Sequence, residues 1–252
     1  MTDLAGRTAL VTGGGSGLGA AIATALHDAG ADVVIVGRDE AKLAAVVQRL
    51  GERARALPCD VADAASIDRL RGELGDTDVS ILVNNAGVPG PVAALTDISV
   101  EDWDAVFDVN VRGTFLMCRA FLPGMTARGA GDVINVASVS GKRPLAHRTP
   151  YTASKMAVIG LTSTLAFEVG PAGVTVNTLS PGPVAGPRME RNFRLEAERS
   201  GGSVQDAEHD FVSRSALQRM VTEEEVGLAV VGMLGMPGLC GADIDLSAGM
   251  VA

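Results

Sequence analysis

Aromatic residues are scarce: one tryptophan, one tyrosine and six phenylalanines make up 3% of 252 residues. A core without large rings must be filled by Ala, Val, Leu and Ile, as in parallel sheets covered by helices on both faces. Cysteine is equally thin. Cys59, Cys118 and Cys240 are an odd number, widely spaced and without a CxxC, which argues against a disulfide framework or a thiolate zinc site and for reduced thiols. No metal is expected. Positive charge is in deficit, with 21 Lys and Arg against 30 Asp and Glu and a net charge of −9. An acidic surface is repelled by phosphate backbones, so nucleic acid is not an expected partner. No apolar run reaches the roughly 18–20 residues of a membrane helix. The start, Met1 to Arg7, has no basic stretch leading into an apolar one. A soluble cytoplasmic protein without membrane contact is the expectation.

What is present is a rhythm. Thr8 to Thr12 reads as a buried strand, followed by Gly13-Gly14-Gly15-Ser16-Gly17-Leu18-Gly19 and a helix over 20–29 that Gly30 stops. Strands are then expected at 32–36, 54–58, 79–83, 132–137, 174–179 and 241–246. Helices are expected at 40–50, 64–74, 100–128, 151–169 and 223–234. Alternating strands and short-linked helices specify a parallel sheet wrapped on both sides. No linker or change in composition divides the chain, so one domain over 1–252 is expected. Pro181 to Gln218 breaks the rhythm with three prolines, Gly201-Gly202 and two short helices at 188–199 and 204–213. It follows a strand's C-terminal end, where open α/β sheets bind ligands, and reads as a lid over 183–218.

The glycine loop has the spacing Thr12-Gly13-x-x-x-Gly17-x-Gly19 between a strand and a helix. Glycines there allow a tight turn and close approach of a pyrophosphate to the helix N-terminus. After the second strand stands Gly37-Arg38. An acid at this place would hold a ribose 2′-hydroxyl, whereas Arg38 suits a 2′-phosphate, which favours NADP with NAD as the alternative. Asn84-Asn85-Ala86-Gly87 ends the fourth strand, where paired amides can bridge strands or meet a cofactor. Tyr151 and Lys155 share one helix face. Free tyrosine ionises near pH ~10, and a cation beside it stabilises the phenolate and suits it to proton transfer. On its own the pair reads first as a half-buried helix tyrosine and a surface lysine, because the spacing alone is a weak pattern.

Taken together, Thr12-Gly13-x-x-x-Gly17-x-Gly19, Asp60-Val61, Asn84-Asn85-Ala86-Gly87, Asn110, Ser138, Tyr151-x-x-x-Lys155 and Pro181-Gly182 resemble the short-chain dehydrogenase/reductase family over nearly the whole chain. The likeness is to its single-domain form and to members of the 3-oxoacyl-ACP reductase kind. It implies a Rossmann-like, doubly wound parallel α/β sheet in three layers. It implies an NAD(P)-dependent oxidoreductase interconverting a secondary alcohol and a ketone, and a homo-oligomer, dimer or tetramer. Tyr151 would be the acid/base, Lys155 its cation and a ribose ligand, Ser138 a donor to the substrate oxygen, and Asn110 the support of a water relay to Lys155. Gly13, Ser16, Gly17, Leu18, Gly19 and Arg38 would line the cofactor's phosphates. Asp60 and Val61 would meet the adenine, Asn85 a ribose, and Val184 the nicotinamide. Ala248-Gly249 stands where the family often has two glycines.

Two alternatives stay open at this level. A catalytically silent NADP-binding regulator would share the loop without needing Ser138, Tyr151 and Lys155 together. The basic residues within 142–148 and 188–194 either receive an anionic group of the small-molecule substrate or are solvated surface and subunit contacts.

Overall fold

The computed structural model describes residues 2–143 and 145–250, without the side chains of residues 187, 188, 195 and 199. Seven strands form one all-parallel sheet: β1 (Thr8–Thr12), β2 (Asp32–Gly37), β3 (Ala54–Pro58), β4 (Val79–Asn84), β5 (Gly131–Val136), β6 (Val174–Pro181) and β7 (Asp243–Leu246). Their order is β3-β2-β1-β4-β5-β6-β7, the doubly wound Rossmann-like arrangement. The helices are α1 (Gly17–Asp28), α2 (Glu40–Leu50), α3 (Ala64–Leu74), α4 (Val100–Phe107), α5 (Gly113–Arg128), α6 (Thr149–Val169), α7 (Pro187–Ser200), α8 (Val204–Val212) and α9 (Glu223–Leu234).

The apolar strands explain the three layers. Successive side chains point to opposite faces, so Val33 and Ile35 join a core under α1 and α9, while Val34 and Val36 join the core under α3 and α5. Ile81 and Val83 part from Leu82 in the same way. Each fully buried Leu, Ile or Val contributes about 1.5–3 kcal/mol. Small residues set the close approach of α1 to α9. A Cβ on Gly227 would lie 2.8 Å from the Ala21 carbonyl oxygen.

Three differences from the sequence reading have physical causes. Helix α1 begins at Gly17 rather than at residue 20, because glycines that are poor helix formers still supply the first turn of the phosphate loop. The expected continuous helix over 100–128 is interrupted by a π-turn, Asp108–Arg112, between α4 and α5. Helix α6 starts at Thr149, with Pro150 in its first turn, where a missing N–H costs nothing. The chain continues from the neighbouring strands β1 and β4 to opposite faces of the sheet, to α1 on one and α5 on the other, which opens a crevice at their C-terminal ends.

Candidate active site

That crevice is built by close backbone packing. The Thr12 hydroxyl accepts from the N–H groups of Asn85 and Ala86, both at 2.9 Å. Asn85 returns its side-chain amide to the Thr12 carbonyl at 2.9 Å. The end of β1 is thereby fastened to the end of β4. Asn84 does the same one strand over, donating to Asn135 Oδ1 at 2.8 Å. The two amides thus carry the strand-bridging part of their expected role.

Gly13 turns through φ +67°, a region that favours glycine. A Cβ on Gly19 would stand 2.1 Å from the Gly13 carbonyl oxygen and 2.6 Å from Asn85 Nδ2. No side chain fits there, so the loop lies flat against the start of α1. Ser16, extended, is the residue before α1 and makes no side-chain cap, which leaves the helix's first N–H groups to an anion. Leu18 is half-buried against the core under α1. This cradle fits a dinucleotide's pyrophosphate.

A groove of about 160 Å³ continues from Gly13 past Arg38, Asp60, Val61, Ala86 and Val88. Asp60 is held by a bond from the Ala62 N–H at 3.0 Å, and Val61 packs on Gly113 at the start of α5. Cys59 also lines the groove, but burial pushes its thiol up. Burial likewise pushes Cys118 up to about 12, so neither thiol is a thiolate at neutral pH.

Tyr151 lies half-buried in the first turn of α6, and Lys155 one turn on is 5% exposed. The Lys155 ammonium donates to the Val136 carbonyl at 2.9 Å and stands 5.8 Å from the centre of the Tyr151 ring. The Arg148 guanidinium lies 5.6 Å from the same ring. Ser138 follows the end of β5. Its hydroxyl accepts from the Ser140 N–H at 3.2 Å and lies 3.4 Å from the Pro181 carbonyl at the end of β6. The turn after it rests on α6, since a Cβ on Gly141 would lie 3.1 Å from the backbone of Lys155 and Met156.

Asn110 sits within the π-turn and is 1% exposed. It accepts from the Val88 N–H at 2.8 Å, and it donates to the Val88 carbonyl and the Ser154 hydroxyl, each at 3.0 Å. Ser154 in turn donates to the Tyr151 carbonyl at 2.7 Å. Gly87 lies between: its Cβ would meet Asn110 Oδ1 at 3.1 Å and the Lys155 nitrogen at 3.5 Å. The structure therefore brings Asn110 and Lys155 together at Gly87, which lines the groove, with Tyr151 beside Lys155 and Ser138 two residues beyond the Val136 carbonyl that holds it. Thr12 and Gly87, both in motifs read from the sequence, belong to the same assembly, and so does Ser154, which was not assigned from sequence. Ser154 had a legible signal, since it lies one helical turn after Tyr151.

Val184 is further along, paired with Val221 in an isolated bridge at the root of the 183–218 segment. Of the basic residues considered for an anion, Lys142 is already engaged. Its ammonium meets Asp243 at 2.8 Å and also Asp245. Burial alone would lower its pKa, but the two carboxylates outweigh that and hold it above the ordinary lysine value. Pro144 and the Arg188 side chain lie outside the described residues.

Comparison with known proteins gives the family. The short chain dehydrogenase family model matches residues 7–198. A D-beta-hydroxybutyrate dehydrogenase of Cupriavidus necator is 36% identical over 236 residues, 90% of each chain. A 3-ketoacyl-(acyl-carrier-protein) reductase from Brucella melitensis, complexed with NADH, superposes with a TM-score of 0.87 at 29% identity, covering 99% of this chain and 100% of that one. An actinorhodin polyketide ketoreductase with NADPH gives 0.88 at 31% identity over 97% of both chains. With the parallel sheet, the glycine cradle and the tyrosine–lysine pair in place, these likenesses identify the chain as an oxidoreductase of the short-chain dehydrogenase family.

Proposed function

We propose that this protein interconverts a secondary alcohol and a ketone with NADP as the hydride carrier and Tyr151 as the acid/base. The observation that carries the reading is the buried Lys155 ammonium, fixed by the Val136 carbonyl and set against the Tyr151 ring. The nicotinamide cofactor, when bound, supplies or accepts the hydride. The chain manages the proton. In reduction the Tyr151 hydroxyl gives its proton to the oxygen that becomes the alcohol; in oxidation the phenolate takes one. Lys155, held beside the ring by the Val136 carbonyl, is the cation assigned to this proton transfer. Ser138 donates to the same oxygen and fixes the substrate's orientation. Asn110 holds Gly87 and Val88 beside Lys155 and is assigned the far end of the proton path. Asp60 and Val61 serve the adenine, Asn85 and Lys155 the riboses, Val184 the nicotinamide, and Gly13, Ser16, Gly17, Leu18 and Gly19 the pyrophosphate. Arg38 takes the 2′-phosphate.

The substrate class is drawn from the relatives. A hydroxy acid or oxo acid is the proposed class, in keeping with the hydroxybutyrate dehydrogenase likeness. The 183–218 segment serves as the lid. Its helices α7 and α8 are held to each other by the edge-to-face pair Phe193–Phe211, with ring centres 5.4 Å apart. On the outer faces of α5 and α6, Phe115, Met156 and Phe167 are exposed, the last 86% so, and suit a contact between copies of this chain.

The test is nicotinamide absorbance with NADPH and NADH against a panel of oxo acids and neutral ketones. Tyr151→Phe is expected to lower turnover by about 10²–10⁴-fold while cofactor affinity stays within a small factor. Retained activity sinks the assignment. Cofactor binding without turnover on every substrate favours a silent regulator.

A further inference from the structure

We propose that Lys42 is a specificity-determining residue for the cofactor, acting by neutralising Asp39. The inference rests on the NADP reading and deepens it. Arg38, in the groove, is followed at once by Asp39. A carboxylate at this end of the second strand is the group that binds a free 2′-hydroxyl and repels a 2′-phosphate, so Asp39 opposes Arg38 unless its charge is met. The structure shows how it is met. Asp39 caps α2: one carboxylate oxygen accepts from the Lys42 N–H at 3.1 Å, and the other lies 3.1 Å from the Lys42 ammonium. One residue therefore claims both oxygens.

Lys42 is also placed at the cofactor loop. A Cβ on Gly15 would lie 3.3 Å from Lys42 Cβ, so the lysine stem leaves α2 directly beside the glycine turn. Protonation does not remove the acid's charge at working pH, because the Lys42 backbone bond, with the side-chain bond second, holds Asp39 below the usual carboxylate range. The counter-ion is the remaining means. Without Lys42, Arg38 alone would face both Asp39 and the exposed Glu40. The pair is more than half exposed on both sides, so it adds little to stability and acts through the field it presents to a doubly charged phosphate.

The experiment is equilibrium binding of NADPH and NADH, read by titration calorimetry without substrate, on wild type, Lys42→Met, Asp39→Asn and the double variant. Lys42→Met is expected to weaken NADPH about three- to tenfold at low salt, to leave NADH within about twofold, and to lose most of that effect at high ionic strength. In the Asp39→Asn background the same substitution should cost little. An unchanged NADPH/NADH ratio overturns the proposal, as does an equal loss in both backgrounds, which would mean that Lys42 meets the phosphate itself. A wild type that prefers NADH overturns the NADP reading instead. Masking is then still read, as a tightening of NADH by Lys42→Met that Asp39→Asn abolishes. Thermal unfolding of each variant controls for loss of the α2 cap.

Discussion

Replacing Lys142 by Met keeps most of the stem and removes the charge that joins the turn after Ser138 to strand β7. Its ammonium is 2.8 Å from Asp243 and also meets Asp245, with side chains 33%, 19% and 36% exposed. Ser180 on β6 donates to the other Asp243 oxygen at 2.6 Å, so three segments converge on one carboxylate. A fully exposed ion pair contributes about 0–1 kcal/mol, and a hydrogen bond to a charged group about 1.5–3 kcal/mol. A partly exposed lysine bridging two acids falls in the lower part of the second range, at about 2 kcal/mol after screening. The two carboxylates would then repel each other along β7. At about 2–4 °C per kcal/mol for a chain of this size, Lys142→Met is expected to lower Tm by about 4–8 °C. The sign with pH is fixed by the lysine. Its folded pKa lies above the ordinary 10.5, so the contribution is whole below that value and disappears as pH rises through the folded one. Denaturant unfolding of wild type and variant across a pH series checks this. A constant gap at neutral pH that closes in strong alkali supports it. A gap below about 0.5 kcal/mol at neutral pH, where exposed substitutions ordinarily fall, refutes the reasoning, and so does one that survives alkali. Because Ser138 begins the same turn, kcat/KM should also drop severalfold with NADPH affinity unchanged.

Gly19→Ala would push a methyl to 2.1 Å from the Gly13 carbonyl oxygen, where both atoms are held by backbone. The loop must open, and cofactor affinity measured by calorimetry should fall more than about tenfold, with about 1–3 kcal/mol of stability lost. At the opposite end of the sheet, Arg7 meets Asp132 at 2.6 Å and the Ser80 carbonyl at 3.1 Å, while Thr175 donates to the other Asp132 oxygen. Arg7→Ala leaves that half-buried acid with one neutral partner and should cost about 2 kcal/mol in denaturant unfolding, with kcat unchanged because the site lies at the other strand ends. Glu225 is held at about 2 by the Arg219 guanidinium first and then by the Thr222 N–H at the cap of α9. Its contribution is present above the ordinary carboxylate value of 4.5 and lost as pH falls through the folded one. Glu225→Gln should therefore be less stable than wild type at neutral pH, with the gap narrowing below 4.5 and closing only below the folded value of about 2; a gap that does not close on acidification would exclude this cause.

The features legible from sequence are those whose physics is local. Val33 to Val36 is buried on both faces whichever helices cover it, so an unbroken apolar run already means an inner parallel strand. The glycine loop and the tyrosine–lysine pair are spacings along one element. What was not legible depends on a second element arriving. Lys142 and Asp245 are 103 residues apart, and nothing near Lys142 distinguishes an ion-paired lysine from an anion receptor. The four-residue spacing in α6 survives because that helix is regular, whereas the π-turn at Asp108–Arg112 adds a residue to its turn. Each residue beyond it is rotated relative to a plain α-helix. That rotation breaks the face pattern a periodicity reading relies on, just where Asn110 is turned inward to Val88 and Ser154. Asp39 lies between the two cases. Beside Arg38 it reads as a competitor for the ribose, yet Asp39 to Lys42 is also a helix cap closed by its own lysine, and both partners lie within four residues. The acid's charge and its neutralisation are thus local features, and what required the fold was only that Gly15 lies against them.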